Sequence, residues 1–128
     1  MTDQIEEPKK FEPKKPVALA APKDDPISAD YLAKCDGTNE GYPTYVAIKG
    51  KVFDVSGNSA YGPKGQYHVF TGKDSSRALA QSSLKLEDCR AEWEDLDDNQ
   101  KKVLNDWFTF FSKRYPIVGV VSTESASL

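Results

Sequence analysis

Tyr45-Val46-Ala47-Ile48-Lys49-Gly50-Lys51-Val52-Phe53-Asp54-Val55 reads as a β-hairpin, with β-branched and aromatic residues on both arms and Lys49-Gly50 as the turn. Directly after it comes Ser59-Ala60-Tyr61-Gly62-Pro63-Lys64-Gly65-Gln66-Tyr67-His68-Val69-Phe70, which sets two tyrosines on either side of a tight turn. Pro63 presets that turn, while Gly62 and Gly65 relieve its steric limits, so Tyr61 and Tyr67 are expected to face one cavity.

Outward from this core the pattern mixes short helices with few strands. On the N-terminal side, Ser28 caps a short helix through Ala29-Asp30-Tyr31-Leu32-Ala33-Lys34, which Asp36-Gly37 ends. On the C-terminal side, Asp74 is placed as the N-cap of a helix over Ser75-Ser76-Arg77-Ala78-Leu79-Ala80-Gln81. A further helix is expected from Glu87 to about Trp93, ahead of the acidic turn Glu94-Asp95-Leu96-Asp97-Asp98. The longest helix runs from about Asn99 to Arg114, with Val103, Leu104, Trp107, Phe108, Phe110 and Phe111 on a broad apolar face. Tyr115-Pro116 stops it, and Ile117-Val118-Gly119-Val120-Val121 reads as a last strand able to join the hairpin. The fold class is therefore α+β.

The chain has 128 residues, room for one domain of ordinary size. Residues 1–26 carry five prolines among Lys and Asp/Glu of nearly balanced charge, a composition that buries too little apolar surface to offset the entropy of ordering. They are read as a disordered or extended leader, with a docking tail for a partner as the functional alternative. Residues 27–121 form the domain, and 122–128 a polar tail. A formal net charge of -3 and a pI near 5.2 argue against a nucleic-acid binder, which needs a basic face. No apolar run is long enough for a signal peptide or a membrane span, so a cytoplasmic protein is expected, with peripheral association left open. Cys35 and Cys89 lack metal-type spacing and are read as reduced thiols.

Catalysis finds little support. His68 is the single histidine, so no Ser-His-Asp set can be assigned, and no glycine-rich phosphate loop is present. The acidic segment Glu92 to Asp98 lacks the alternating ligands and central glycine of a calcium loop and reads as a solvated turn. What remains is the concentration of tyrosine. A phenol titrates at about 10 in water, but ferric haem iron favours the phenolate, and tyrosine is a known class of haem ligand. The plainer alternative is that both rings simply cover the hairpin.

From Ile27 to about Val121 the chain resembles the membrane-associated progesterone receptor family, the branch of cytochrome b5-like haem/steroid-binding domains that includes the fungal damage-resistance proteins. The motifs that carry the resemblance are Ile27-Ser28-Ala29-Asp30, Cys35-Asp36-Gly37, the hairpin, Tyr61-Gly62-Pro63-Lys64-Gly65-Gln66-Tyr67, Phe70-Thr71-Gly72-Lys73-Asp74-Ser75-Ser76-Arg77-Ala78-Leu79-Ala80 and Lys113-Arg114-Tyr115-Pro116-Ile117-Val118-Gly119. The resemblance implies a ferric haem b cofactor with Tyr67 as the axial phenolate on iron and Tyr61 hydrogen-bonded to it. It further implies that Tyr115 and Arg114 border the haem, Arg114 standing where the family usually has lysine. Asp74 matches a family aspartate that either touches the haem or simply caps its helix.

Departures from the family pattern matter too. The chain lacks the His-Pro-Gly-Gly motif and the second histidine of electron-carrying cytochromes b5. His68 adjoins Tyr67, but adjacent side chains diverge, so it is not the expected ligand. Gln66 replaces a frequent proline, and a Pro/Lys-rich leader stands where relatives often have a membrane span. The implied function is binding rather than catalysis. It is a five-coordinate haem protein supporting cytochrome P-450 monooxygenases in sterol metabolism, with steroid or sterol as a further ligand and peripheral contact with the endoplasmic reticulum membrane. The alternatives are an electron-transfer haem protein and a haem-independent lipid-binding adaptor.

Overall fold

The computed structural model describes residues 23–122; the leader up to residue 22 and the tail from residue 123 lie outside them. The hairpin forms as its sequence dictates. Strand β2 (Tyr45–Ile48) pairs antiparallel with β3 (Lys51–Asp54), Ile48 opposite Lys51, around Lys49 and Gly50 at φ 53° and 81°. Two consecutive positive φ values give the turn a twist that suits paired strands. Lys49 lacks glycine's freedom there, and the turn is held from outside: Lys49 N–H donates to the Ser76 hydroxyl and Gly50 N–H to the Asp74 carboxylate.

The last strand, β4 (Ile117–Ser122), joins β3 antiparallel, with a bulge at Val52/Phe53. A strand not expected from the sequence, β1 (Pro26–Ser28), then adds parallel to β4, giving the sheet order β1-β4-β3-β2. Lys23 N–H also donates to the Ile117 carbonyl, so residues 23–26, read from sequence as the end of the leader, lie along β4. A three-residue edge strand opened by proline carries almost no periodicity, and its pairing partner lies some ninety residues away.

Strand alternation sorts the sheet into two faces. Ala47 and Val52 turn to one side, against Leu32 of α1 (Ala29–Lys34), which Ser28 caps as expected. Val46, Ile48, Phe53 and Val55 turn to the other and build the main core. There they meet α2 (Ser76–Ala80) and α3 (Asp98–Arg114). Helix α3 starts on a reciprocal capping box, Asp97 with Gln100, of a kind whose loss costs about 0.5–2 kcal/mol. Leu104, Trp107, Phe110 and Phe111 are its buried stripe, and Phe53 meets Phe111 edge-on at 5.3 Å. Each such ring contributes ~1.5–3 kcal/mol through burial.

Two local expectations change. The helix expected from Glu87 to Trp93 is a single 3-10 turn, Leu86–Asp88. Beyond it the backbone is claimed by α2: Arg77 N–H donates to the Arg90 carbonyl, and the Arg77 guanidinium grips the Glu92 carbonyl and the Asp95 carboxylate. Asp74 caps α2 from one residue earlier than expected. Ser75 occupies the N-cap position without a side-chain cap, while an Asp74 oxygen accepts the Ser76 N–H and hydroxyl.

Candidate functional site

Between β3 and α2 the chain makes a loop that closes on itself. Asn58 opens a 3-10 turn, Ser59–Tyr61, by accepting the Ala60 N–H on its side chain. Gly65 N–H then donates to the Gly62 carbonyl, and Tyr67 N–H returns to the Ala60 carbonyl at 2.8 Å. That last bond draws Tyr67 back over Tyr61. Their ring centroids are 5.6 Å apart, tilted by 45°, and the two residues are only 6% and 2% exposed.

The pair sits against the C-terminal half of α3. Tyr67 meets Trp107 edge-on at 6.3 Å and Phe70 at 5.8 Å; Tyr61 meets Phe111 at 5.9 Å and Tyr115 at 6.3 Å. Tyr115 ends α3, and its hydroxyl accepts from the Asn58 side-chain amide at 2.7 Å, tying the helix end to the start of the tyrosine loop. The Arg114 guanidinium lies 4.2 Å from the Phe110 ring centroid, a cation held at the edge of the same cluster.

Four of the five residues expected at the site are thus brought to one end of α3: Tyr61, Tyr67, Tyr115 and Arg114. Asp74 stands elsewhere. Its carboxylate is engaged by the β2–β3 turn and the start of α2, and burial pushes its pKa above the ordinary carboxylate range against the opposing pull of those hydrogen bonds. His68 is turned the opposite way from Tyr67, with Nε2 2.8 Å from the Asp36 carbonyl oxygen.

One member of the cluster went unrecognised as a site residue. Trp107 is completely buried and its indole N–H has no hydrogen-bond partner among the described residues. Such a donor costs about 1–3 kcal/mol when left unmade, and here it belongs to the ring that packs on Tyr67. The sequence marks Trp107 only as one more apolar position on α3, since its spacing from Phe110 and Phe111 is that of a core stripe.

Among the described residues, no group of three or more His, Cys, Asp or Glu is placed to hold a bare metal ion. Ferric iron carried in a porphyrin needs only one strong side-chain donor, and the cluster fits that need. It offers two adjacent phenols, a neighbouring cation and an unused buried N–H donor. No helix among the described residues is long and apolar enough to cross a membrane.

Residues 28–120 match the family model described as "Cytochrome b5-like Heme/Steroid binding domain". The chain is 48% identical over 96 residues to Probable steroid-binding protein 3 of Arabidopsis thaliana, covering 74% of this chain and 96% of that protein. It is 40% identical over 96 residues to Membrane steroid-binding protein 2 of Oryza sativa subsp. japonica, and 40% identical over 87 residues to Cytochrome P-450 regulator dap1 of Schizosaccharomyces pombe. The matched regions make up 36% and 50% of those two longer proteins. A solved Arabidopsis thaliana protein with a cytochrome b5-like fold superposes with a TM-score of 0.71 at 45% identity, over 77% of this chain and 92% of that one.

Proposed function

The chain belongs to the family of cytochrome b5-like haem/steroid-binding domains, in its membrane-associated progesterone receptor branch, and on that premise we propose that it binds ferric haem b through the Tyr67 phenolate and acts as a regulator of cytochrome P-450 monooxygenases in sterol metabolism. The observation that carries the reading is the buried Tyr61–Tyr67 pair on a loop closed by its own backbone. A haem held by one phenolate supplies a five-coordinate ferric iron whose reduction is disfavoured, which suits regulation or delivery better than rapid electron shuttling. Tyr67 is the anionic donor in this scheme, and the neighbouring Tyr61 hydroxyl stabilises the phenolate as a hydrogen-bond donor. Arg114 supplies positive charge for a propionate, its planar fork suited to a carboxylate. Tyr115, fixed by Asn58, borders the phenol pair at the end of α3.

Binding rather than catalysis is the proposed mode of action, and steroid is a proposed further ligand. Support comes from the relatives, two of which are named for steroid binding and one for regulating a cytochrome P-450. One of them, named for membrane steroid binding, supports peripheral action at a membrane. The test is the ferric optical spectrum of the haem-loaded protein together with its reduction potential. A high-spin spectrum with a phenolate-to-iron charge-transfer band and a potential far below that of bis-histidine cytochromes is expected. A low-spin spectrum, or a potential in the bis-histidine range, contradicts the reading and favours an electron carrier.

A further inference from the structure

We propose that His68 is the positioning residue for Tyr67: its imidazole fastens the turn that presents the phenol to the aromatic cluster on α3. The inference rests on Tyr67 being the iron ligand and adds the device that holds it in place.

Tyr67 and His68 are neighbours in sequence and point to opposite sides of one short 3-10 turn, His68–Phe70, whose N-cap is Tyr67. The Tyr67 ring enters the aromatic cluster on α3. The His68 ring instead reaches back 32 positions to Asp36, with Nε2 2.8 Å from its carbonyl oxygen. A carbonyl oxygen can only accept, so Nε2 carries the proton and the imidazole is the donor. The Thr71 hydroxyl shares its single proton between the His68 carbonyl at 2.7 Å and the same Asp36 carbonyl at 3.1 Å. Asp36 O therefore collects donors from both ends of the turn.

That acceptor is itself well anchored. Asp36 forms a β-bridge with Thr44, and Tyr45 N–H donates to the Cys35 carbonyl at 2.9 Å, so Asp36 is tied to the start of β2. The chain after the turn presses onto the same spot. Gly72, at φ +76°, passes so close that a Cβ built on it would lie 2.9 Å from the Asp36 Cβ, and its N–H donates to the Tyr45 carbonyl. Thr71 and Gly72 hold the far end of the turn, and His68 ties its near end, next to Tyr67, to the segment that opens β2. A ligand side chain works only when held within about 0.5 Å of its productive position, so this bond adds to how firmly the phenol is presented.

The experiment compares His68→Phe, which keeps ring bulk and removes the donor, with His68→Gln, whose amide can reach the same carbonyl; His68→Leu serves where the phenyl ring does not pack. Haem-loaded His68→Phe should lose haem to a globin scavenger about fivefold faster than the parent, the worth of one neutral hydrogen bond. Its phenolate-to-iron band should weaken, and His68→Gln should restore both to within about twofold of the parent. Equal haem release and spectra in His68→Phe and the parent, or no rescue by His68→Gln, overturn the proposal. Amide exchange on the haem-free protein reads the positioning independently of ligation. Faster exchange at Phe70 and Thr71 in His68→Phe supports it and unchanged exchange overturns it. Failure of the underlying ligand reading shows separately, as a Tyr67→Phe protein that keeps the parent's spectrum.

Discussion

Gly65 is pressed against Ala60: a Cβ built on Gly65 would fall 2.1 Å from the Ala60 carbonyl oxygen and 2.3 Å from that of Ser59. The Ala60 carbonyl is the one that accepts the Tyr67 N–H, so the contact lies at the closure that brings the two phenols together. No side chain fits there without separating the strands of the loop.

Gly65→Ala should therefore displace the loop at a cost of about 1–3 kcal/mol and weaken haem binding with it. Gly62→Ala is the control. Gly62 has an ordinary φ of -74°, and its added Cβ would meet only the Ser59 carbonyl oxygen, at 3.4 Å. Its cost should stay below about 0.5 kcal/mol. Urea unfolding of both variants checks the pair, and equal destabilisation would remove the closure argument.

Asp74 gives a pH dependence whose sign can be stated in advance. Burial raises its pKa in the folded protein above the ordinary value of about 3.9. The folded state thus holds the proton more tightly than the unfolded chain. The associated stability is fully present below the unfolded pKa and is lost as pH rises through the higher folded one. Across pH 4 to 7 the parent should lose stability relative to Asp74→Asn, as read by urea unfolding at each pH. Parallel curves for the two proteins would contradict this.

Cys35 and Cys89 are both buried, and burial pushes both thiols above their usual range. Raised values mean little thiolate at neutral pH, so Ellman's reagent at pH 7.5 should label the native protein slowly and both sites promptly in urea. Rapid labelling of either thiol in the native protein would show that its segment opens readily.

How much of this was legible in the sequence follows from the range over which each feature is determined. The hairpin, the capped α1 and the aromatic α3 are set by residues within a few positions of one another, and local chemistry predicts them. The Tyr61–Tyr67 pairing was legible for the same reason, because Gly62, Pro63 and Gly65 dictate the turn between them. Features with distant partners were not. Strand β1 needs β4, the Glu87 to Trp93 segment yields to Arg77, and His68 finds Asp36 32 positions away. The spacing of α3 places Trp107 in the core, but that its N–H has no partner among the described residues depends on the packing of the finished cluster and leaves no trace in spacing.

The central claim is that the two phenols have unequal roles, and ferric haem titrations of Tyr67→Phe and Tyr61→Phe against the parent test it most directly. Removing the Tyr67 hydroxyl should abolish the phenolate-to-iron band and cut haem affinity by well over tenfold, whereas removing that of Tyr61 should leave the band in place, shifted, with a smaller loss. An unchanged spectrum and affinity in Tyr67→Phe would contradict the account.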